Sequence, residues 1–91
     1  MTMAEIDVQR LDSERFGVTI VEDGSKSVHE VTATKKHVDL LCGDCEPERV
    51  VEASIRFLLD REAKESIMNR FDLDVIASFF SDYPTAIHDY L

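Results

Sequence analysis

The segment that most constrains this fold is residues 47–60, which has the pattern of one amphipathic helix. Pro47 suits the first turn of a helix, because the N–H that proline lacks has no intrahelical partner there. Charged residues recur at every fourth position and form one solvent-facing ridge: Glu48, Glu52, Arg56 and Asp60. The remaining arc is apolar and wider than a coiled-coil seam, so we expect this helix to pack against several neighbours.

Two segments before this helix alternate as β-strands do. Residues 15–22 place apolar side chains at every second position, and residues 28–34 return after a turn at Gly24, which adopts positive φ without steric cost. A two-stranded hairpin is marginal in water, so helices must cover one face or a second copy must extend the sheet. A homodimer paired through a strand edge is therefore one expected arrangement.

Two shorter helices are predicted on either side of the central one. Thr34 is a favoured cap for a helix over residues 35–42, and Asp72 is a favoured cap for a helix that runs to about Phe80. Pro84 prevents that helix from continuing, so only a separate last turn can follow.

The predicted fold is therefore α+β, with an N-terminal two-stranded antiparallel hairpin followed by three or four short helices packed around the helix at 47–60. Residues 1–14 carry isolated hydrophobes and are expected to be poorly ordered, whereas residues 15–91 form a single domain. The predicted core consists of Phe16, Val18, Ile20, Val31, Val51, Ile55, Leu58, Phe71, Ile76 and Phe79.

The motif with the clearest chemical potential is a C-x-x-C pair, Cys42 and Cys45. Two thiols at this spacing can close a disulfide or bind one metal, and His37 is the nearest candidate for a third zinc ligand. The surrounding acids oppose a thiolate, and no second pair of ligands with metal-site spacing follows. We expect two reduced, partly buried thiols in a helix-helix turn, with zinc binding and redox chemistry as the alternatives.

The C-terminal stretch is the richest in aromatic residues. Aromatic side chains at helical spacing usually belong to a core, but they also serve as anchors of protein interfaces. The candidates for a protein-binding surface are Phe80, Tyr83 and Tyr90. No Gly-rich phosphate loop, nucleophile-base pair or other catalytic motif can be recognised, so the sequence predicts no catalytic or cofactor-binding residue and disfavours an enzyme.

The charge balance limits the class of partner. Nineteen acidic and ten basic side chains give a formal net charge of −9, which repels phosphate backbones, so nucleic acid is not expected as a partner. No apolar run reaches the length of a membrane span, and residues 1–11 lack the basic start and apolar block of a secretory signal. We therefore expect a cytoplasmic protein that does not enter a membrane.

Several segments resemble a family of small, uncharacterised bacterial proteins. The resemblance covers residues 16–83, and its most specific parts are Phe-Leu-Leu-x-Arg-Glu at 57–62 and Arg-Phe-Asp-Leu at 70–73. That family has no established activity, so the resemblance implies no substrate, cofactor or site. The function predicted from the residues is a non-enzymatic interaction or regulatory module with an acidic surface, and the alternative is a metal-binding or redox-linked protein that uses Cys42 and Cys45.

Overall fold

Four strands form one mixed sheet in the order β1-β2-β3-β4 in a computed structural model of the protein, which describes residues 4–91. β1 to β3 pair antiparallel with their sequence neighbours, and β4 pairs parallel with β3. The strands are β1 (Glu5–Arg10), β2 (Arg15–Glu22), β3 (Ser25–Thr32) and β4 (Arg70–Asp72). The α-helices are α1 (Lys35–Leu41), α2 (Pro47–Leu59), α3 (Leu73–Phe79) and α4 (Tyr83–Ala86), and 3₁₀ turns cover Lys64–Ser66 and Ile87–Tyr90.

The prediction of a two-stranded sheet is wrong, because the sheet has two further strands. β1 pairs with β2 over six positions, and Ile6 and Val8 lie opposite Ile20 and Val18 on the helix-covered side. β1 pairs with the next strand along the chain, but an alternation of only two hydrophobes is too short to predict a strand there. β4 has only three residues and one inward side chain, Phe71, so no period-two pattern could develop.

The predicted poorly ordered segment, residues 1–14, thus contains the paired strand β1. Residues 1–3 lie outside the part of the chain that the structure describes. The connection from β1 to β2 is closed by Asp12, whose carboxylate accepts hydrogen bonds of 2.9 Å from the backbone N–H groups of Glu14 and Arg15. These contacts turn the chain back so that β1 can pair with β2.

Local signals account for the turn between β2 and β3. Asp23 and Gly24 have φ values of 53° and 76°, the left-handed pair that a tight hairpin turn requires. The resulting register places Phe16 opposite Val31 on the buried face. On the other face, Val28 at 59% exposure lies open to solvent.

α2 packs against the buried face of the sheet and contributes Val51, Ile55 and Leu58 to the core, as predicted. Every other predicted core residue is also buried except Phe79, which is 70% exposed. The buried side of α3 carries Leu73 and Ile76, and the helix ends at Phe79, most of whose ring lies in solvent. Within residues 4–91, no helix combines the length and apolar character needed to cross a bilayer.

Candidate functional site

An apolar groove of about 350 Å³ opens between the C-terminal end of α2, the 3₁₀ turn after it, β4 and α3. Its floor consists of buried core side chains, namely Leu58, Ile67, Phe71 and Ile76. Its polar lining side chains are Glu62 and Ser66. The volume lies at the lower end of the range in which proteins bind ligands or anchor side chains of a partner. We refer to this feature as the groove.

Two of the large exposed hydrophobic side chains of the described chain lie at the groove. Phe79 is 70% exposed and Met68 is 45% exposed, and both line it. Their position matters because single exposed hydrophobes are ordinary, whereas exposed hydrophobes next to a buried apolar floor form a continuous apolar surface. Aromatic and methionine side chains are also the types enriched in protein interfaces.

The loop that carries Met68 is held to the sheet by His29, which is 2% exposed. The Nδ1 atom of His29 lies 2.8 Å from the Met68 carbonyl oxygen, so in the neutral ring Nδ1 carries the proton and donates. Nε2 then accepts from the Ser27 hydroxyl at 2.9 Å. Because the backbone N–H of Glu30 also donates to the Asn69 carbonyl at 2.7 Å, this wall of the groove is fixed to β3 at two points.

Charges around the groove are mainly acidic. Glu62 lies in its wall, and Asp72 and Asp74 are exposed on the flanking elements. The three nearby bases are each in an ion pair: Lys64, which is 5% exposed, with Glu65, Arg61 with Asp82 at 2.8 Å, and Arg70 with Glu30 at 3.4 Å. The hydrogen bond from Lys64 lowers the pKa of the Glu65 carboxyl, and the contact with this carboxylate leaves Lys64 little positive potential to offer a ligand.

Behind the groove, an aromatic cluster fixes the C-terminal segment to α2. The ring of Phe57 makes edge contacts with Phe80, Tyr83 and Tyr90 at centroid distances of 5.8, 5.2 and 6.0 Å. The guanidinium carbon of Arg61 lies 3.8 Å from the centroid of the Phe57 ring. These contacts hold Phe80 in the wall of the groove and leave its neighbour Phe79 at the rim.

Tyr83 is completely buried within this cluster. Ser54 donates its hydroxyl hydrogen to the Val50 carbonyl at 2.7 Å, so the Tyr83 hydroxyl, 2.6 Å from the Ser54 oxygen, must be the donor to Ser54. Burial raises the pKa of Tyr83 to about 12. Tyr83 therefore acts as a neutral packing group that joins α4 to α2.

The three aromatic candidates from the sequence thus occupy different environments. Phe80 lines the groove, Tyr83 lies in the core, and Tyr90 is half-buried with its hydroxyl donating to Asp60 at 2.5 Å. Sequence reasoning missed Phe79 as a surface residue. No local signal identified it, because adjacent residues of a helix can both be buried, as Phe57 and Leu58 are in α2.

The cysteine pair lies at the other end of α2. Cys42 and Cys45 form a disulfide with a Cα–Cα distance of 5.5 Å, whereas the sequence led us to expect two reduced thiols. Spacing alone does not reveal which of these states the pair adopts. Throughout residues 4–91, no group of three or more His, Cys, Asp or Glu side chains is arranged to hold a metal ion, so His37 does not complete such a group with the two cysteines.

Comparison of the chain with protein-family models, with curated proteins and with solved structures gave no match.

Proposed function

We propose that this protein is a non-enzymatic, cytosolic interaction module whose groove binds a basic amphipathic segment of a partner protein. The observation that carries the proposal is the pairing of exposed Phe79 and Met68 with a buried apolar floor. The polar side chains that line the groove, Glu62 and Ser66, form no hydrogen bond with a neighbouring base in the described residues, which favours binding over catalysis.

The size of the groove suits an anchor of a few apolar side chains on one face of a helix or an extended segment. In interfaces of this kind, a small number of central aromatic and aliphatic contacts supplies most of the binding free energy. Phe79 is the strongest candidate on this side, because most of its ring is open to solvent before binding. Covering it would remove a large apolar area from water.

The charge of the partner segment follows from complementarity. Glu62 at the groove and the exposed Asp72 and Asp74 beside it would attract lysine or arginine side chains that flank the apolar anchors. The net charge of −9 acts in the same direction at longer range and would speed the encounter. Such steering weakens at high ionic strength.

The test uses two synthetic amphipathic peptides with the same leucine positions, one with lysine and one with glutamate at the polar positions. NMR titration of the labelled protein should show the lysine peptide shifting signals around Phe79, Met68 and Ile67. Phe79→Ala should weaken binding at least tenfold, as expected for a central interface aromatic. Leu40→Ala is the matched control, because Leu40 is 75% exposed but lies on α1, away from the groove, and should not change the affinity.

Equal binding of both peptides would remove the argument from charge, and equal effects of Phe79→Ala and Leu40→Ala would remove the argument for the groove. Sedimentation at the same concentrations reports self-association, including pairing of two chains through the exposed edge of β1. If the signals around Phe79 shift with protein concentration alone, the occupant is a second copy and the proposed partner class is wrong.

A further inference from the structure

We propose that the Cys42–Cys45 bridge is a reversible thiol–disulfide exchange site that reacts preferentially with cationic thiols. The bridge lies in the connection between α1 and α2, and both cysteines are only partly buried. A disulfide that is reachable from solvent can be attacked by an external thiolate, whereas one sealed in a core cannot. This property is independent of binding at the groove.

The backbone around the bridge is held by hydrogen bonds and packing contacts that do not depend on the disulfide. The N–H of Cys42 donates to the Val38 carbonyl at 2.8 Å, and the N-terminus of α1 is capped by the Thr34 hydroxyl, which accepts from the N–H of His37 at 3.2 Å. Val38 and Leu41 bury the inner side of α1. The bridge closes a segment of only four residues, the class of loop in which a disulfide stabilises the fold least. The connection should therefore keep its structure after reduction.

The exchange is a two-electron reduction that balances with two thiols. The first thiolate attacks the Cys42 sulfur, the S–S bond breaks, and Cys45 leaves as a thiolate that takes up a proton. A second thiol then attacks the mixed disulfide, releases Cys42 as a thiol and forms the disulfide of the reagent. Cys45 is the better leaving group because it lies just before the N-terminus of α2, where the helix dipole favours negative charge.

The charges near the bridge select the reagent. Asp39, Asp44 and Glu46 are exposed and lie within three residues of a bridge cysteine, whereas Glu48 forms an ion pair with Arg10 at 3.2 Å. The exposed base Arg49 lies four residues after Cys45, so acids outnumber bases around the bridge. Thiolates are anionic, so this environment slows their approach, and an ammonium group on the same molecule offsets the repulsion. The reactive partner is therefore a thiol that carries positive charge, whether a small molecule or a cysteine flanked by basic residues.

The test measures the rate of reduction of the folded, full-length protein by cysteamine, 2-mercaptoethanol and 2-mercaptoethanesulfonate, each expressed per thiolate. These reagents are cationic, neutral and anionic. We expect rates to fall in that order, by roughly tenfold or more between the extremes at low salt, and to converge at about 0.5 M salt. The double variant with Asp44→Asn and Glu46→Gln should show a smaller difference in reduction rate between the three reagents. Cystamine, the disulfide of cysteamine, should re-form the bridge in the reduced protein.

Circular dichroism and thermal melting of the reduced protein provide the second readout. We expect an unchanged helical spectrum and a Tm lower by about 10 °C, from the entropy of a four-residue loop. Rates that do not depend on reagent charge would overturn the assignment of reagent class. A bridge that is reduced only after the protein unfolds would show a structural disulfide and would overturn the proposal as a whole.

Discussion

Ionisation of Tyr83 should destabilise the folded protein at alkaline pH, and the Tyr83→Phe variant should escape this loss. The hydroxyl is buried and donates to Ser54, so the neutral form is the one that the fold accommodates. Burial raises the pKa of Tyr83 to about 12, compared with about 10 in an exposed tyrosine. The folded-state pKa is higher than the unfolded-state pKa. The stabilisation of the folded protein by neutral Tyr83 is therefore complete below pH 10 and is lost as the pH rises towards 12.

The magnitude follows from the two pKa values. Integration of the linkage relation between pH 9 and pH 12 gives a loss of about 2 kcal/mol in the free energy of unfolding. At neutral pH, Tyr83→Phe costs about 1 kcal/mol, because Ser54 loses a donor but keeps its own hydrogen bond to the Val50 carbonyl. The stability curves of wild type and Tyr83→Phe should therefore cross between about pH 10 and pH 11.

Urea unfolding followed by circular dichroism between pH 8 and pH 11.5 measures both curves, and the titration of other groups cancels in their difference. The chain has two tyrosines and no tryptophan, so the absorbance of tyrosinate near 295 nm can be read without interference. The Tyr90→Phe variant leaves Tyr83 as the single absorbing phenol. If Tyr83 ionises near pH 10 while the protein is still folded, or if the two curves run parallel, the assigned burial and hydrogen bonding are wrong.

Three further substitutions test the core and the β1–β2 connection. Ile55→Ala should lower the free energy of unfolding by about 2–5 kcal/mol, because the Ile55 side chain is completely buried. Phe79→Ala should change the free energy of unfolding by no more than about 0.5 kcal/mol, because Phe79 is 70% exposed. Urea unfolding of both variants measures this difference. The hydrogen bond from the Glu14 backbone N–H, followed by that from the Arg15 side chain, lowers the pKa of the Asp12 carboxyl. The stabilisation that the ionised Asp12 provides should be lost as the pH falls through its folded-state pKa. The free energy of unfolding of Asp12→Asn should therefore fall less with decreasing pH than that of the wild type.

The parts of the fold that the sequence predicts are those with a local cause. Pro47 and the four-residue charge spacing locate α2, Thr34 locates α1 and Gly24 locates the hairpin turn, because each acts within one helical turn or one β-turn. β1 pairs with the adjacent strand β2 but carries only two alternating hydrophobes, Ile6 and Val8, whereas β4 pairs with β3, a strand distant in sequence. Their own residues are too few to specify the pairing, so the size of the sheet could not be predicted.

The same distinction applies to the candidate site. The sequence identifies the aromatic C-terminal region, but whether an aromatic side chain lies in the core depends on which elements pack over it. Tyr83 is covered by α2 through Phe57 and Ser54, whereas the side chain of Phe79 remains 70% exposed. The cysteine pair is visible as a motif, yet its bonded state depends on the backbone geometry of the α1–α2 connection.

The two proposed activities lie at opposite ends of α2, and this separation predicts that they are independent. Cys45 precedes the helix and Leu58, near its other end, lines the groove, so the two residues are 13 positions apart, about 20 Å along the helix axis. The helix between them is rigid, because Val51 and Ile55 are completely buried against the sheet. Reduction of the bridge changes bonding only in the α1–α2 connection, and the buried side chains of α2 oppose a second arrangement of the helix that could couple the two sites. The lysine peptide should therefore bind the oxidised and reduced protein with the same affinity. A redox-dependent affinity would mean that α2 moves as a unit and that the core holds it less firmly than its burial indicates.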